Sequence, residues 1–287
     1  MVRARADLHL HSNHSDGIYS PEQLVKMARD IGLGGIALTD HDTVEGNSEL
    51  SIHCKKNDLV CISGVEISTE YRGHELHLLG YYVPSESSEL ESTLNAFRNE
   101  RNTRFPKMVR KLRNLGYAIT DSDVEEVMRT AASPGRPHLA RILVEMSVVK
   151  SVDEAFTRFL AEGKPAYVKR TRPDIIDGIR ILREVGAVPV LAHPLYYTGG
   201  PLRSLLKDLK NSGLLGVEVV YNYERNSNPG EDTKRVRSAA RGLGLIETGG
   251  TDFHGDNTHN ALGSMTVSID VVDQLHKAAI HQGTIEP

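Results

Sequence analysis

Short β-like runs alternate with helix-like segments at both ends of this 287-residue chain, and nearly every run ends in a histidine or a carboxylate. ADLHLHS alternates apolar and polar residues, as a strand does. SPEQLVKMARDIGLG carries helix punctuation: Ser20 as N-cap, Pro21 at the first helical position, Glu22 in the first turn and Gly32 as the stop. GIALTDHD reads as a strand whose polar end comes last, and TVEGNSELSIHCKKN as a second helix. LVCISGVEIS and HELHLLGYYV read as further strands. After KPAYV the alternation resumes: helix PDIIDGIRILREVG, strand AVPVLAHP, helix PLRSLLKDLKNSG, strand GVEVVYN, helix EDTKRVRSAARGLG and strand LIETGGTDFHG. Strands separated by helices predict a mostly parallel sheet or barrel.

The stretch between is different. SESSELESTLNAFRNERNTRFPKMVRKLRNLG is charged and helix-like, and more helical segments follow to about Gly163, with few β-like runs. The expected organisation is a barrel domain from residues 1–84 and 165–287, carrying a helical insertion over residues 85–164. The length suits one large domain of this kind.

The polar strand ends carry chemistry. They present His9 and His11, Asp40 and His41, Glu66, His77, His193, and Asp252 with His254. In a parallel α/β barrel all strand C-termini open on one face, so these groups would converge there. His9 and His11 are two apart, on the same face of a strand, and can share one ion. Imidazole with carboxylate suits zinc, manganese or iron, whereas a magnesium-only site favours oxygen ligands. A carboxylate such as Glu66 can bridge two ions, as in two-metal hydrolases. Singly, each residue has a plainer account. His14, His53, His259, His276 and His281 read as ordinary surface or hydrogen-bonded histidines. Asp16 beside Gly17 fits a turn, Asp42 fits the N-cap of the next helix, and Glu66 fits a satisfied buried carboxylate. Recurrence at nearly every strand end favours the metal site.

Composition bounds the remainder. With 39% hydrophobic and 25% charged residues the chain can bury an ordinary core. A net charge of −4 supplies no global cationic field for gripping a nucleic-acid backbone. Cys54 and Cys61 suggest neither a disulfide framework nor a thiolate zinc site, so a reducing compartment is expected. Arg3, Arg5 and Asp7 interrupt the start where a signal peptide would be apolar, and no run is long enough to span a bilayer. A cytoplasmic location is expected, with no membrane and no obligate protein partner.

DLHLHSNHSDG, ALTDHD, GVEIS, the HLLG around His77, LAHP and TDFHG resemble, in order, the motifs of the PHP (polymerase and histidinol phosphatase) family, over residues 5–84 and 165–260. The resemblance implies a distorted (β/α)7 barrel with two or three divalent ions (manganese, zinc or iron) at the strand C-termini. His9, His11, Glu66 and Asp252 would hold one ion. Glu66 would bridge to a second, completed by His77 and His193. Asp16, His41 and His254 would form a third site, with Asp16 where some members carry histidine. Asp40, like Asp7, would support ligands rather than bind.

SPGRPHLARILVE followed by VDEAFTRFLAEGKPAYV resembles the insertion of stand-alone PHP phosphoesterases acting on nucleotides, where it forms a lid-like lobe. Arg136 and His138 would then face the substrate phosphate, a guanidinium gripping oxygens bidentately and an imidazole donating a hydrogen bond or a proton. Read without the resemblance, GRPH is a loop-to-helix start with Pro137 placed for helix entry. Lys169 and Arg170 are weaker candidates for anion contact, better described as a solvated loop. Leu195 stands where many relatives have glycine after HP, and VVYNYERNSNP matches no family pattern; both bear on the pocket around the leaving group.

The activity implied is hydrolysis of a phosphate monoester on a small molecule, a nucleoside monophosphate or 3′,5′-bisphosphate, with a metal-bound hydroxide as nucleophile. His138 is the candidate general acid, with metal-bound water as the other proton source. Alternatives are a 5′–3′ exonuclease on short RNA or DNA ends, a cyclic phosphodiesterase, a histidinol phosphatase, and an amidohydrolase-type carbon–nitrogen hydrolase. A metal-binding accessory domain, like those appended to polymerases, is the non-enzymatic alternative.

Overall fold

The computed structural model describes residues 4–84, 87–131, 133–169, 171–223, 229–256 and 260–280. Arg170, His259, His281 and residues 224–228 of the VVYNYERNSNP segment lie outside the described residues. Seven strands stand side by side in chain order: β1 (Arg5–Leu10), β2 (Gly35–Leu38), β3 (Val60–Tyr71), β4 (His74–Tyr81), β5 (Val188–Leu191), β6 (Gly216–Val220) and β7 (Ile246–Gly249). A short β8 (Val267–Ser268) pairs antiparallel with the start of β1. Where β1 ends, the His11 N–H donates to the Phe253 carbonyl at 3.0 Å, so the chain beyond β7 nearly closes the barrel. Gly250 permits that approach, since a Cβ there would stand 2.4 Å from the His9 Cβ. Asp7 pins the same seam, accepting from Thr251 N (3.0 Å), Thr251 Oγ1 (2.7 Å) and Gly263 N (3.0 Å). Burial pushes its carboxyl up to about 6 against these hydrogen bonds.

Among the seven strands β1 to β7 the expected parallel order holds except at β4, which runs antiparallel to both β3 and β5. Only Arg72 and Gly73, both at positive φ, separate β3 from β4, too few for a parallel crossover.

Helices α1 (Pro21–Asp30) and α2 (Gly46–Asn57) cover β1 and β2. Ser20 and Gln23 form a reciprocal capping box at the start of α1. Between β4 and β5 come α3 (Ser88–Asn114), α4 (Asp121–Thr130), α5 (Arg136–Glu145) and α6 (Val152–Ala155), followed by a π-helical turn, Phe156–Leu160. Then α7 (Ile175–Glu184), α8 (Leu202–Asn211) and α9 (Pro229–Arg241) pack outside the later strands, and α10 (Asp270–Ile280) follows β8.

Apolar packing divides accordingly. Ala6, Leu8, Ala37, Ile62, Leu79, Tyr81, Val188 and Val190 fill the barrel interior together with Val272 and Leu275 of α10. A separate cluster around Phe105, Leu112, Leu139 and Leu160 belongs to the inserted helices. The 27-residue α3, about 40 Å long at 1.5 Å per residue, joins them: Leu90 and Leu94 pack on the barrel, Phe105 to Leu112 on the insertion.

Cys54 and Cys61 are joined by a disulfide, against the expectation from their spacing. After α2, Asp58 adopts a left-handed conformation and the chain reverses into β3, bringing the two Cα atoms to 6.2 Å. No helix among the described residues is long and apolar enough to cross a membrane.

Candidate functional site

All nine histidine and carboxylate candidates gather at one mouth of the barrel, and each reaches it by a local device. In β1, Asp7 to Leu10 lies opposite Ile36 to Leu38, so the strand carries one extra residue. Across that bulge Leu8 stays in the barrel interior while Leu10 joins the α1/α2 cluster, which turns His9 and His11 into the mouth. The reversal of β4 explains His77: it lies near the start of its strand, opposite Ser68, at the same end as its neighbours' C-termini. His193 and Asp252 sit just past β5 and β7 at φ of 26° and 55°. Such backbone costs about 1–3 kcal/mol each and concentrates at working sites.

Glu66, in the middle of β3 and 1% exposed, is the hub. Its Oε1 lies 3.0 Å from His77 Nδ1, 3.2 Å from His193 Nε2 and 3.5 Å from His9 Nε2. Its Oε2 lies 3.2 Å from His11 Nε2 and 3.1 Å from His41 Nδ1. Asp252 Oδ1 is 3.3 Å from His9 Nε2 and 3.1 Å from His11 Nε2. Asp16 Oδ1 is 3.2 Å from His254 Nε2, with His41 Nε2 at 3.9 Å from Oδ2. Three groups have ligand atoms close enough for one ion: His9, His11, Glu66 and Asp252; His41, Glu66 and His77; His11, Asp16, His41 and His254. The first matches the expected set. His41 belongs to two groups, and His193 approaches through Glu66.

Hydrogen bonds at the far ring nitrogens decide which atoms face inward. The His9 Nδ1–H donates to Glu218 Oε1 at 3.0 Å, and the His254 Nδ1–H donates to the Asp252 carbonyl at 2.8 Å. Each ring therefore turns an Nε2 lone pair toward carboxylate oxygens. Lone pair against lone pair is repulsive unless a proton or a cation lies between. His9 Nε2, His11 Nε2, His41 Nδ1 and Glu66 Oε2 are buried without a hydrogen-bond partner among the described residues, and all face this centre. Burial pushes His9 and His11 toward neutrality, but Asp252 and Glu66 outweigh it, joined at His9 by Glu218. They hold His9 well above its usual value and raise His11 to about 10. Burial would raise the Glu66, Asp16 and Asp252 carboxyls, yet the surrounding histidines hold all three well below the carboxylate range. His41, between Glu66 and Asp16, is driven down to about 3, mainly by burial. The donor set fits divalent cations.

Supporting residues surround the ligands. Asp40 accepts from Ser12 N (2.7 Å), Ser12 Oγ (2.6 Å) and Ser15 Oγ (2.5 Å), and so shapes the loop after β1. Tyr221 donates its hydroxyl to Asp252 Oδ2 at 3.0 Å. Glu218, which sequence reasoning passed over, orients His9 and also accepts from His193 N at 2.8 Å. Its only signal was one carboxylate inside the apolar run GVEVV. His14 Nε2 lies 3.6 Å from Glu49 Oε2, and His14 joins none of the three groups.

Asp42 does not cap α2. It accepts from Ser68 N at 2.9 Å and from Arg101 Nε at 2.7 Å, because α3 crosses the mouth and holds it. Arg98, Arg101 and Arg104, spaced by three on α3, were also missed; the signal was R-x-x-R-x-x-R inside a charged helix. Arg101 and Arg104 line a cleft of about 850 Å³ together with Arg136, Asp16, His41 and His193. His138 is not among the residues lining it. It caps its own helix, Nδ1 accepting from Gly135 N at 3.2 Å, and burial drives it down to about 4. At neutral pH it is uncharged, with Nε2–H as its donor. Lys169 is exposed and does not line the cleft. Arg141, on α5, donates to the Asp16 carbonyl and lies 3.6 Å from Asp256.

Comparison with known proteins matches residues 7–143 to the model of the PHP domain. A 5′-3′ exoribonuclease of Haemophilus influenzae is 32% identical over 86% of this chain and 89% of its own length. A 3′,5′-nucleoside bisphosphate phosphatase of Chromobacterium violaceum is 30% identical over 88% of this chain and 87% of its own. Among solved structures, a proposed metal-dependent phosphoesterase from Bifidobacterium adolescentis superposes with a TM-score of 0.88 at 28% identity, covering 97% of both chains.

Proposed function

This chain belongs to the PHP domain family, and on that premise we propose that it is a metal-dependent phosphoesterase whose substrate is a small nucleotide, a nucleoside 3′,5′-bisphosphate before a monophosphate. The observation that carries the reading is the set of buried, orphaned imidazole and carboxylate atoms converging on Glu66, beside a cleft that is lined by His41, His77, His193 and Asp252 and reached by three arginines. We assign His9, His11, Glu66 and Asp252 to one divalent ion, Glu66, His77 and His193 to a second, and Asp16, His41 and His254 to a third. Manganese, zinc or iron suits this mixture of nitrogen and oxygen. When bound, such ions polarise phosphoryl oxygens and acidify a water molecule to near neutrality.

The chain's own residues set the geometry. Glu218 holds the His9 proton on Nδ1, and Tyr221 turns Asp252 so that Oδ1 faces His9 and His11. Arg136 reaches the cleft from α5 beside Glu75, away from the ligand atoms that converge on Glu66. His138 is neutral and accepts from Gly135 N, so it supports the helix start that presents Arg136 rather than acting as an imidazolium acid. The helices α3 to α6 form the lobe beside the ligand atoms, with Arg101 and Arg104 of α3, Arg136 of α5 and Val152 of α6 lining the cleft.

The test is phosphate release by metal-stripped protein reloaded with manganese, zinc, iron or magnesium. Its panel contains adenosine 3′,5′-bisphosphate, adenosine 5′-monophosphate, a cyclic nucleotide, histidinol phosphate and a 5′-phosphorylated oligoribonucleotide. The bisphosphate is expected to have the highest kcat/KM, and His9→Ala and His11→Ala to abolish turnover. Metal-dependent turnover surviving both substitutions sinks the assignment. The name of the Haemophilus influenzae relative favours a second reading, 5′–3′ exonuclease action; stepwise release of mononucleotides from the oligonucleotide at a higher kcat/KM would establish it instead.

A further inference from the structure

Resting on the phosphoesterase reading, we infer that Arg101, Arg104 and Arg136 form a second anion subsite in the cleft, which receives a phosphate group of the substrate other than the one hydrolysed at the metal ligands. All three line the same cleft as His77, His193 and Asp252. Arg101 and Arg104 are each only 7% exposed, a costly place for a guanidinium without an acceptor.

Local charge is unbalanced toward cations. Arg101 is taken up on one edge, its Nε bonding Asp42 at 2.7 Å and its Nη2 bonding Ser68 Oγ at 2.6 Å. Glu75 is shared by Arg172 at 2.7 Å and by Arg136 at a longer 3.4 Å. Among the described residues Arg104 has no carboxylate at ion-pair distance: its Nε bonds the Val168 carbonyl at 2.7 Å, and its buried Nη2 has no hydrogen-bond partner. Four arginines therefore face two carboxylates, an excess that a phosphate dianion would balance. Burial, then Arg136 and Arg172, pull the Arg104 guanidinium down to about 9, which marks the same uncompensated field. Asp153 and Glu162 also line the cleft but are exposed, where solvent screens them.

Two details fit an incoming phosphate. A Cβ on Gly135 would stand 3.1 Å from Arg101 Nη1, so the glycine of GRPH leaves that guanidinium its position. Glu75 also lies 3.5 Å from His77 Nε2, so one carboxylate separates the cationic group from a ligand histidine. That short span suits two phosphates on one nucleotide. The subsite thus selects substrates bearing a second phosphate over those with one.

Calorimetric titration of metal-free protein with adenosine 3′,5′-bisphosphate, adenosine 5′-monophosphate and adenosine 3′-monophosphate reads the subsite without turnover. Wild type is expected to bind the bisphosphate at least about tenfold tighter than either monophosphate, the range of one charge-assisted hydrogen-bond pair. Arg104→Gln and, independently, Arg136→Gln should each remove about tenfold of that preference and leave monophosphate binding within about twofold. In the metal-loaded enzyme the same variants should raise KM for the bisphosphate and spare kcat. Equal wild-type affinity for mono- and bisphosphates, or equal losses on both in the variants, would overturn the subsite. A wild type that binds the bisphosphate through these arginines but hydrolyses nothing with any metal would refute the phosphoesterase reading and leave the subsite standing.

Discussion

Glu218→Gln isolates the contribution of orientation at the metal ligands. Both oxygens of Glu218 are committed: Oε1 accepts from His9 Nδ1 at 3.0 Å and Oε2 from His193 N at 2.8 Å. Glutamine offers one acceptor and one donor in the same volume. If its carbonyl faces His9, its amide confronts the His193 N–H, donor against donor; the flipped amide reverses the conflict. One buried N–H is left unsatisfied either way, costing about 1–3 kcal/mol. Where the loss falls on His9, its proton is free to move to Nε2 and block the atom that faces Glu66 and Asp252. Removing a carboxylate behind a ligand histidine typically weakens metal binding by about 10–100-fold, or about 1.4–2.7 kcal/mol. The assay is competition of the variant with a metal chelator of known affinity at pH 7.5, paired with thermal denaturation of the stripped protein. A dissociation constant within twofold of wild type, with the melting temperature unchanged, would refute the proposition that Glu218 sets the His9 tautomer.

Three further outcomes are expected. His138 has a folded value of about 4, below the roughly 6.5 of an unfolded chain, so the unfolded state takes up its proton first as pH falls. Its contribution to stability is therefore present above pH 6.5 and lost toward pH 4, about 2 kcal/mol by pH 5. His138→Gln keeps an acceptor for Gly135 N, so denaturant titrations at pH 7.5 and pH 5 should show a smaller acid loss in the variant than in wild type. Arg141→Met removes the donor to the Asp16 carbonyl; elemental analysis should show loss of an ion from the Asp16 group while the ion at His9 and Asp252 stays. Chelation should lower the melting temperature of wild type, and ions at a hundred times their dissociation constant should restore about 2.7 kcal/mol, whereas Glu66→Ala should abolish the restoration.

What was legible in the chain was local. Ser20 and Pro21 start a helix by their own hydrogen bonding and φ, and histidines at strand ends declare themselves by residue type. The reversal of β4 was also written locally, as two residues ending in glycine between β-like runs, YRGH, but the alternating pattern outweighed it. The disulfide depended on where the chain turns after α2.

The residues passed over share a different property: they are charged, and they point inward. In a sequence, charge signals solvent, and Arg98, Arg101 and Arg104 carry the helical spacing of an ordinary exposed face. What reverses the signal is a partner far along the chain. Asp42 lies 59 residues from Arg101, and His9 lies 209 residues from Glu218. Burying such a group alone costs more than its fold gains, so its presence inside an apolar strand or beneath a lobe requires a partner in the protein or in the ligand. Glu218 meets that requirement within the barrel. Arg104, whose Nη2 has no hydrogen-bond partner among the described residues, would meet it with an anion in the cleft.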